Sequence, residues 1–160
     1  MSERRALPVS SVCFVCGMDN PAGLRLKFYM EDGKAHARFT PSRYQAGFRD
    51  VVHGGVVTAL LDETMGWAAA NQLRRICMTG ELTVRFVASV PVGTMLDVSA
   101  WSTRSSRHLC YTAGELRGQD GTLYAKATGK FVPLSKEETD YIDARLIYSE
   151  GETSIFAEDG

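Results

Sequence analysis

The residues best suited to chemistry in this chain are crowded into one stretch, Val51-Val52-His53-Gly54-Gly55-Val56-Val57-Thr58-Ala59-Leu60-Leu61-Asp62-Glu63-Thr64-Met65-Gly66-Trp67. Two glycines follow a histidine, and an acid stands nine residues after that histidine. Backbone N–H groups at the start of a helix have no intrahelical acceptor and point outward, so they can polarise a carbonyl oxygen. Gly54 sets no side chain in the way of an approaching oxygen. Gly55 extends the same turn, and His53 can orient the turn or a bound molecule. Asp62 is the matching acid, either a general base on water or a nucleophile that forms a transient anhydride. Glu63 is turned about 100° from Asp62 on a helix and meets different surroundings, as a structural or supporting acid.

Spacing adds a constraint. Gly54 and Asp62 are eight residues apart, about 12 Å along a helix. They cannot both touch one carbonyl group from the same chain. If both act on one bond they come from two subunits, with two such helices antiparallel across a twofold axis. The chemistry therefore calls for a homodimer.

The elements that must hold these residues can be read from the pattern. Residues 54–72 are apolar almost all the way round, which predicts a buried helix, and a carboxylate inside it needs compensation. Before it, Leu24, Leu26, Phe28 and Met30 alternate as one face of a strand. Asp32-Gly33 marks a hairpin turn, and Ala35, Ala37 and Phe39 continue on the return strand. Residues 41–52 read as a connecting loop. Four strand-like segments follow the helix: Glu81 to Val87, with Leu82, Val84 and Phe86 inward; Met95 to Ser102; a segment in which Leu109, Tyr111 and Ala113 alternate; and Leu123 to Val132. Arg104-Ser105-Ser106-Arg107 is a polar break between the second and third. Ser135 and Glu138 form a capping box that opens a helix running to about Ile147.

The 160 residues are expected to form a single domain (1–160), with residues 1–12 a loose lead-in and 149–160 a mobile acidic tail. The order of hairpin, one buried helix and four antiparallel strands makes an α+β fold in which the sheet curls around the helix. A net charge of -1 argues against a nucleic-acid surface. No stretch is apolar and long enough to span a membrane, and no apolar run follows the N-terminal arginines, so a cytoplasmic location is expected.

Cys13-Phe14-Val15-Cys16 has the spacing of half a zinc site or of a redox pair, but no second pair of ligands follows at matching spacing. The pair reads as packing, Cys77 and Cys110 as small core residues, and neither a metal nor a cofactor is expected. His36 and His108 read as solvated.

Several of these pieces together resemble the hotdog-fold acyl-CoA thioesterases, of the branch that holds PaaI-like and THEM-like enzymes. The opening Cys13-Phe14-Val15-Cys16-Gly17-Met18-Asp19-Asn20-Pro21-Ala22-Gly23-Leu24 looks like that of one subgroup, and His53-Gly54-Gly55 with Asp62 is similar to the active-site signature. Thr79 matches a threonine found at the site in some members. Asp120-Gly121 with Ala125, Ala127 and Gly129 fits the last hairpin. One departure is visible: relatives place a glutamine directly before the glycine corresponding to Gly47, where this chain has Ala46 and carries Gln45 one step earlier.

The resemblance implies a hotdog fold and hydrolysis of an acyl-CoA thioester to coenzyme A and a carboxylic acid, in a site shared between subunits. Its catalytic set is Asp62, Gly54, His53, Gly55 and Thr79, the threonine hydroxyl holding either the water or the Asp62 carboxylate. Phe48 and Met65, with Tyr44 and Trp67, are candidates to line an acyl tunnel. Arg104 and Arg107 are candidates for the phosphates of coenzyme A, since arginine forks match phosphate geometry. Dimers are expected to pair into a dimer of dimers. The alternative is a non-catalytic acyl-CoA-binding or sensing module on the same fold.

Overall fold

The computed structural model describes residues 3–157. Its main sheet has seven antiparallel strands in the order β1-β2-β3-β7-β8-β9-β6. They are β1 (Arg5–Ala6), β2 (Phe28–Glu31), β3 (Lys34–Phe39), β6 (Cys77–Phe86), β7 (Leu96–Ser105), β8 (Cys110–Gly118) and β9 (Leu123–Pro133). Between β3 and the long helix α1 (Gly54–Leu73), the short strands β4 (Ala46–Phe48) and β5 (Val51–Val52) pair with each other. A second helix, α2 (Lys136–Asp143), follows the sheet.

The predicted architecture is present: a curved antiparallel sheet packed on one long helix, with a short helix near the C-terminus. Helix α1 is apolar on nearly every side and buries Val57, Leu60, Leu61, Thr64, Met65, Trp67 and Ala68 through Ala70. The one buried hydroxyl on this run, on Thr64, donates back to the Leu60 carbonyl at 2.6 Å, which removes its desolvation cost. The helix ends at Arg74, which takes a left-handed backbone and donates to the Ile155 carbonyl at 2.8 Å.

The sheet face beneath α1 carries small residues where the helix presses closest. A Cβ at Gly114 would stand 3.1 Å from Met65 Cγ, and one at Gly129 would stand 2.9 Å from Met65 Cε and 2.8 Å from the Phe131 ring. Small residues also mark the inner face of β8. The apolar series Tyr111 and Ala113 lies on the outer side, while Cys110, Thr112, Gly114 and Leu116 are buried against the helix. Closeness to α1 selected small side chains there, so hydrophobicity did not mark the inner face.

Other differences are local. Leu24 and Leu26 are buried as expected, but the strand begins only at Phe28 because Arg25 has φ +56° and breaks the extended run. The Asp32-Gly33 turn has positive φ at both residues, as a tight two-residue hairpin requires. The segment read as a loop holds β4, β5 and a helical turn at Arg43–Gln45. Strand β7 runs to Ser105, and the polar break is confined to the turn before Cys110. The Ser135–Glu138 capping box is formed, but α2 stops at Asp143.

Both ends make contacts with the rest of the fold where they are described. In the lead-in, β1 pairs with β2 and Leu7 is buried. Beyond α2, Ile155 and Phe156 are buried in the core, and Asp143 accepts hydrogen bonds from Tyr148 and Ser154. Residues 1–2 and 158–160 of those two expected segments lie outside the described residues. No helix among the described residues is long and apolar enough to cross a membrane.

Candidate active site

His53 is the N-cap of α1, and three contacts set its ring. Its backbone N–H donates to the Gln45 carbonyl at 2.8 Å. Gly47 lies flat against it, since a Cβ there would meet His53 Cα and Cδ2 at 3.0 Å. Its Nδ1 accepts the Gly55 N–H at 2.8 Å. The Gly55 amide is therefore used within the cap, whereas the Gly54 N–H has no acceptor among the described residues. Of the two glycines proposed to face a carbonyl, Gly54 is the one with a donor to offer. The Gln45 side chain is turned away to cap Ser42, accepting from its backbone N–H at 2.7 Å.

Over the helix start lies the ring of Phe86, 3.4 Å from where a Gly54 Cβ would be. Phe86 was expected to be inward, and it does share the helix side of the sheet, paired with buried Ala125. It is nonetheless 55% exposed, because it stands at the end of an edge strand. With Val51, Val57, Ser89 and Tyr124 it borders a cleft of about 270 Å³ at Gly54.

Two helical turns further on, Thr79 donates its hydroxyl to Asp62 Oδ1 at 2.7 Å. A bulge in β6 makes this contact. Thr79 pairs with Phe131, Glu81 with Lys130 and Leu82 with Gly129, so Gly80 is an extra residue in the strand. Without it, Thr79 would point to the opposite side from Leu82, Val84 and Phe86. With it, all four face the helix. Glycine inside an alternating strand is a signal for such a bulge, and Gly80 carried it.

Asp62 and Thr79 border a second cavity of about 190 Å³, with Glu63, Gly66, Trp67, Ala70, Ile76, Cys77 and Phe131 in its wall, closed by Ser10, Cys13, Cys16 and Leu146. Trp67 thus shares a cavity wall with Asp62. Burial pushes the Cys77 thiol up to about 12, so it is a neutral part of this wall. Burial also raises the Glu63 carboxyl to about 7, and Cys13 Sγ lies 3.7 Å from its Oε1. The Cys13–Cys16 pair shares a proton unequally. The hydrogen bond from the Cys16 thiol lowers Cys13, and the same contact raises Cys16. Packing of these cysteines over Glu63 was not visible in the sequence, because fifty residues separate the two.

The remaining candidates fall elsewhere. Met65 is fully buried between α1 and the glycines of β8 and β9, and it does not border the cavity beside Asp62. Phe48 is 74% exposed on β4, and Tyr44 is also exposed. A bulge between Ser102 and Arg104 turns Arg104 to the outer side of the sheet, over the Tyr111 ring, with β8 and β9 between it and Thr79. Arg107 and His108 are exposed in the β7–β8 turn. His36 is half-buried and stacked on Tyr29 at 5.3 Å, and burial lowers its pKa.

The profile of the Thioesterase superfamily matches residues 50–125. An acyl-coenzyme A thioesterase THEM4 of Xenopus laevis is 28% identical over 117 residues, covering 70% of this chain and 52% of that protein. THEM5 of Mus musculus, also named an acyl-coenzyme A thioesterase, is 29% identical over 113 residues, covering 69% and 45%. The chain thus spans about half the length of these curated relatives. A thioesterase superfamily protein of known structure superposes with a TM-score of 0.69 at 26% identity, over 75% of this chain and 59% of that one. The fold is the hotdog fold, and the stretch that matches the thioesterase superfamily profile carries His53, Gly54, Asp62 and Thr79.

Proposed function

We propose that this protein hydrolyses acyl-CoA thioesters, using the Gly54 N–H of one subunit to polarise the thioester carbonyl and Asp62 of a second subunit to bring water or its own carboxylate to the carbonyl carbon. The observation that carries this reading is the Asp62 carboxylate, oriented by Thr79 at the wall of an apolar cavity. A carboxylate with one oxygen held by a hydroxyl keeps the other in a defined direction toward a bound carbonyl. The apolar wall suits the acyl end of the substrate, and the relatives named as acyl-CoA thioesterases support the substrate class.

The arrangement within one chain supports the need for two. Gly54 and Asp62 lie on one continuous helix, about 12 Å apart by helical rise. Strand β6 is at the sheet edge, with Phe86 beside Gly54 at one end and Thr79 beside Asp62 at the other. An unpaired edge is a template for a second strand. Antiparallel pairing of two β6 strands about their midpoint, near Leu82 and Thr83, would set each Gly54 end against the other chain's Asp62 end. Exposed Met78, Phe86, Val87 and Val132 are the apolar side chains such a contact would cover.

The polarised carbonyl is then attacked, negative charge gathers on the oxygen facing the Gly54 N–H, and the thiolate of coenzyme A leaves. Turnover of an acyl-CoA panel, followed with a thiol reagent, tests the reading. Asp62→Ala is expected to lower kcat by about 100-fold or more. Equal rates for the two proteins would remove Asp62 from the mechanism, and tight acyl-CoA binding with no hydrolysis by the wild type would favour a sensing module.

A further inference from the structure

We infer that Cys13, Cys16 and Glu63 form a binding site for a divalent cation of the zinc class, two sulfurs and one carboxylate oxygen leaving a fourth position for water in the cavity that all three residues border. This inference is independent of the thioesterase reading, because it rests on the donor set and not on Asp62.

The distances fit. One donor atom from each residue lies within 4.8 Å of the others, and Cys13 Sγ is 3.7 Å from Glu63 Oε1. With Zn–S near 2.3 Å and Zn–O near 2.0–2.2 Å, a tetrahedral ion separates a sulfur and an oxygen ligand by about 3.5 Å. The side chains need to move only slightly to hold one.

The backbone is shaped around the sulfurs. The Val15 N–H donates to Cys13 Sγ at 3.4 Å, and the Ser10 N–H to Cys16 Sγ at 3.5 Å. Donors directed at sulfur favour the thiolate, which is the form that binds metal. Gly17 closes the turn, its N–H on the Cys13 carbonyl at 2.8 Å. A Cβ at Gly17 would lie 2.4 Å from that oxygen, so the Cys13-x-x-Cys16-Gly17 turn admits only glycine.

Charge points the same way. Metal binding would release the thiol protons of Cys13 and Cys16 and leave two thiolates beside a carboxylate, and no lysine, arginine or histidine borders the cavity. A divalent cation would balance them. The buried indole N–H of Trp67, in the same wall, has no acceptor among the described residues. An oxygen held in this cavity would give it one. Bound there, the cation would join the N-terminal segment around Cys13 to α1 one residue from Asp62, and so stiffen the cavity wall.

The test is a titration of the full chain, purified under reducing conditions and stripped of metal with a chelator, first with Co²⁺ and then with Zn²⁺. The wild type should bind one equivalent of Co²⁺, develop a thiolate-to-cobalt charge-transfer band with tetrahedral visible bands, and lose both as Zn²⁺ displaces it. Cys13→Ser with Cys16→Ser should abolish the charge-transfer band, and Glu63→Gln should weaken affinity about 10-fold while keeping it. No charge-transfer band in the wild type would overturn the inference whatever the variants do. A band that survives in the double serine variant would overturn it as well.

Discussion

Thr79 and Asp62 illustrate how much one hydroxyl can set. The 2.7 Å hydrogen bond holds one carboxylate oxygen in place, and a hydrogen bond to a charged group contributes about 1.5–3 kcal/mol. Part of that is felt as orientation when the carboxylate acts. Thr79→Ala is therefore expected to lower kcat by about 10-fold with KM little changed, and Thr79→Ser to restore most of it. An equal fall for alanine and serine would mean that packing of the methyl group, not the hydroxyl, is what matters. The chemical types of His53, Gly54, Asp62 and Thr79 were legible in the sequence. That the Gly55 amide is already taken by His53 Nδ1 was not, because it depends on the ring orientation set by Gly47 and Gln45.

At the scale of elements, the helix and sheet meet through glycines. Gly129 on β9 lies under Met65 and beside Phe131 and the Glu81 carbonyl, where an added Cβ would stand 2.8–3.2 Å from all three. Gly129→Val overpacks this contact and should destabilise the fold by roughly 1–3 kcal/mol. In a domain of this size that lowers Tm by about 3–10 °C, measurable by thermal denaturation, and an unchanged Tm would show that α1 can lift without cost. The same closeness explains why the alternating Tyr111 and Ala113 do not mark the inner face of β8: an alternation rule finds large apolar residues, whereas the tightest helix–sheet contact calls for small ones. The α2 cap was read correctly, since a Ser-x-x-Glu box depends on residues within a single turn. The end of α2 and the packed tail were missed. Arg74 donates to the Ile155 carbonyl and Ser154 donates to Asp143, contacts that periodicity does not report.

For the molecule as a whole, the proposed mechanism makes the two ends of α1 half-sites. Asp62→Ala lacks one and Gly54→Ala blocks the other. The added methyl at Gly54 meets the Phe86 ring at 3.4 Å, an ordinary contact that the fold tolerates. If each centre is built from two chains, mixing and reassembling the two inactive variants leaves mixed dimers with one intact centre. Activity should recover to about one quarter of the wild-type level, since half the dimers are mixed and one of their two centres is whole. Recovery of no activity after verified subunit exchange would place both groups in a single chain and contradict the shared-site proposal.

The sequence by itself determined the residue types able to polarise and attack a thioester, the buried helix that carries them, the hairpins and the capped α2. Each of these follows from periodicity or from contacts a few residues long, which the order of side chains encodes directly. Tertiary structure alone decided which groups meet: the Gly80 bulge that turns Thr79 to Asp62, the bulge that turns Arg104 away, and the contact of Cys13 with Glu63. Those depend on strand register and chain reversal. A one-residue shift in register reverses the direction of every side chain that follows, and pattern alone does not report it.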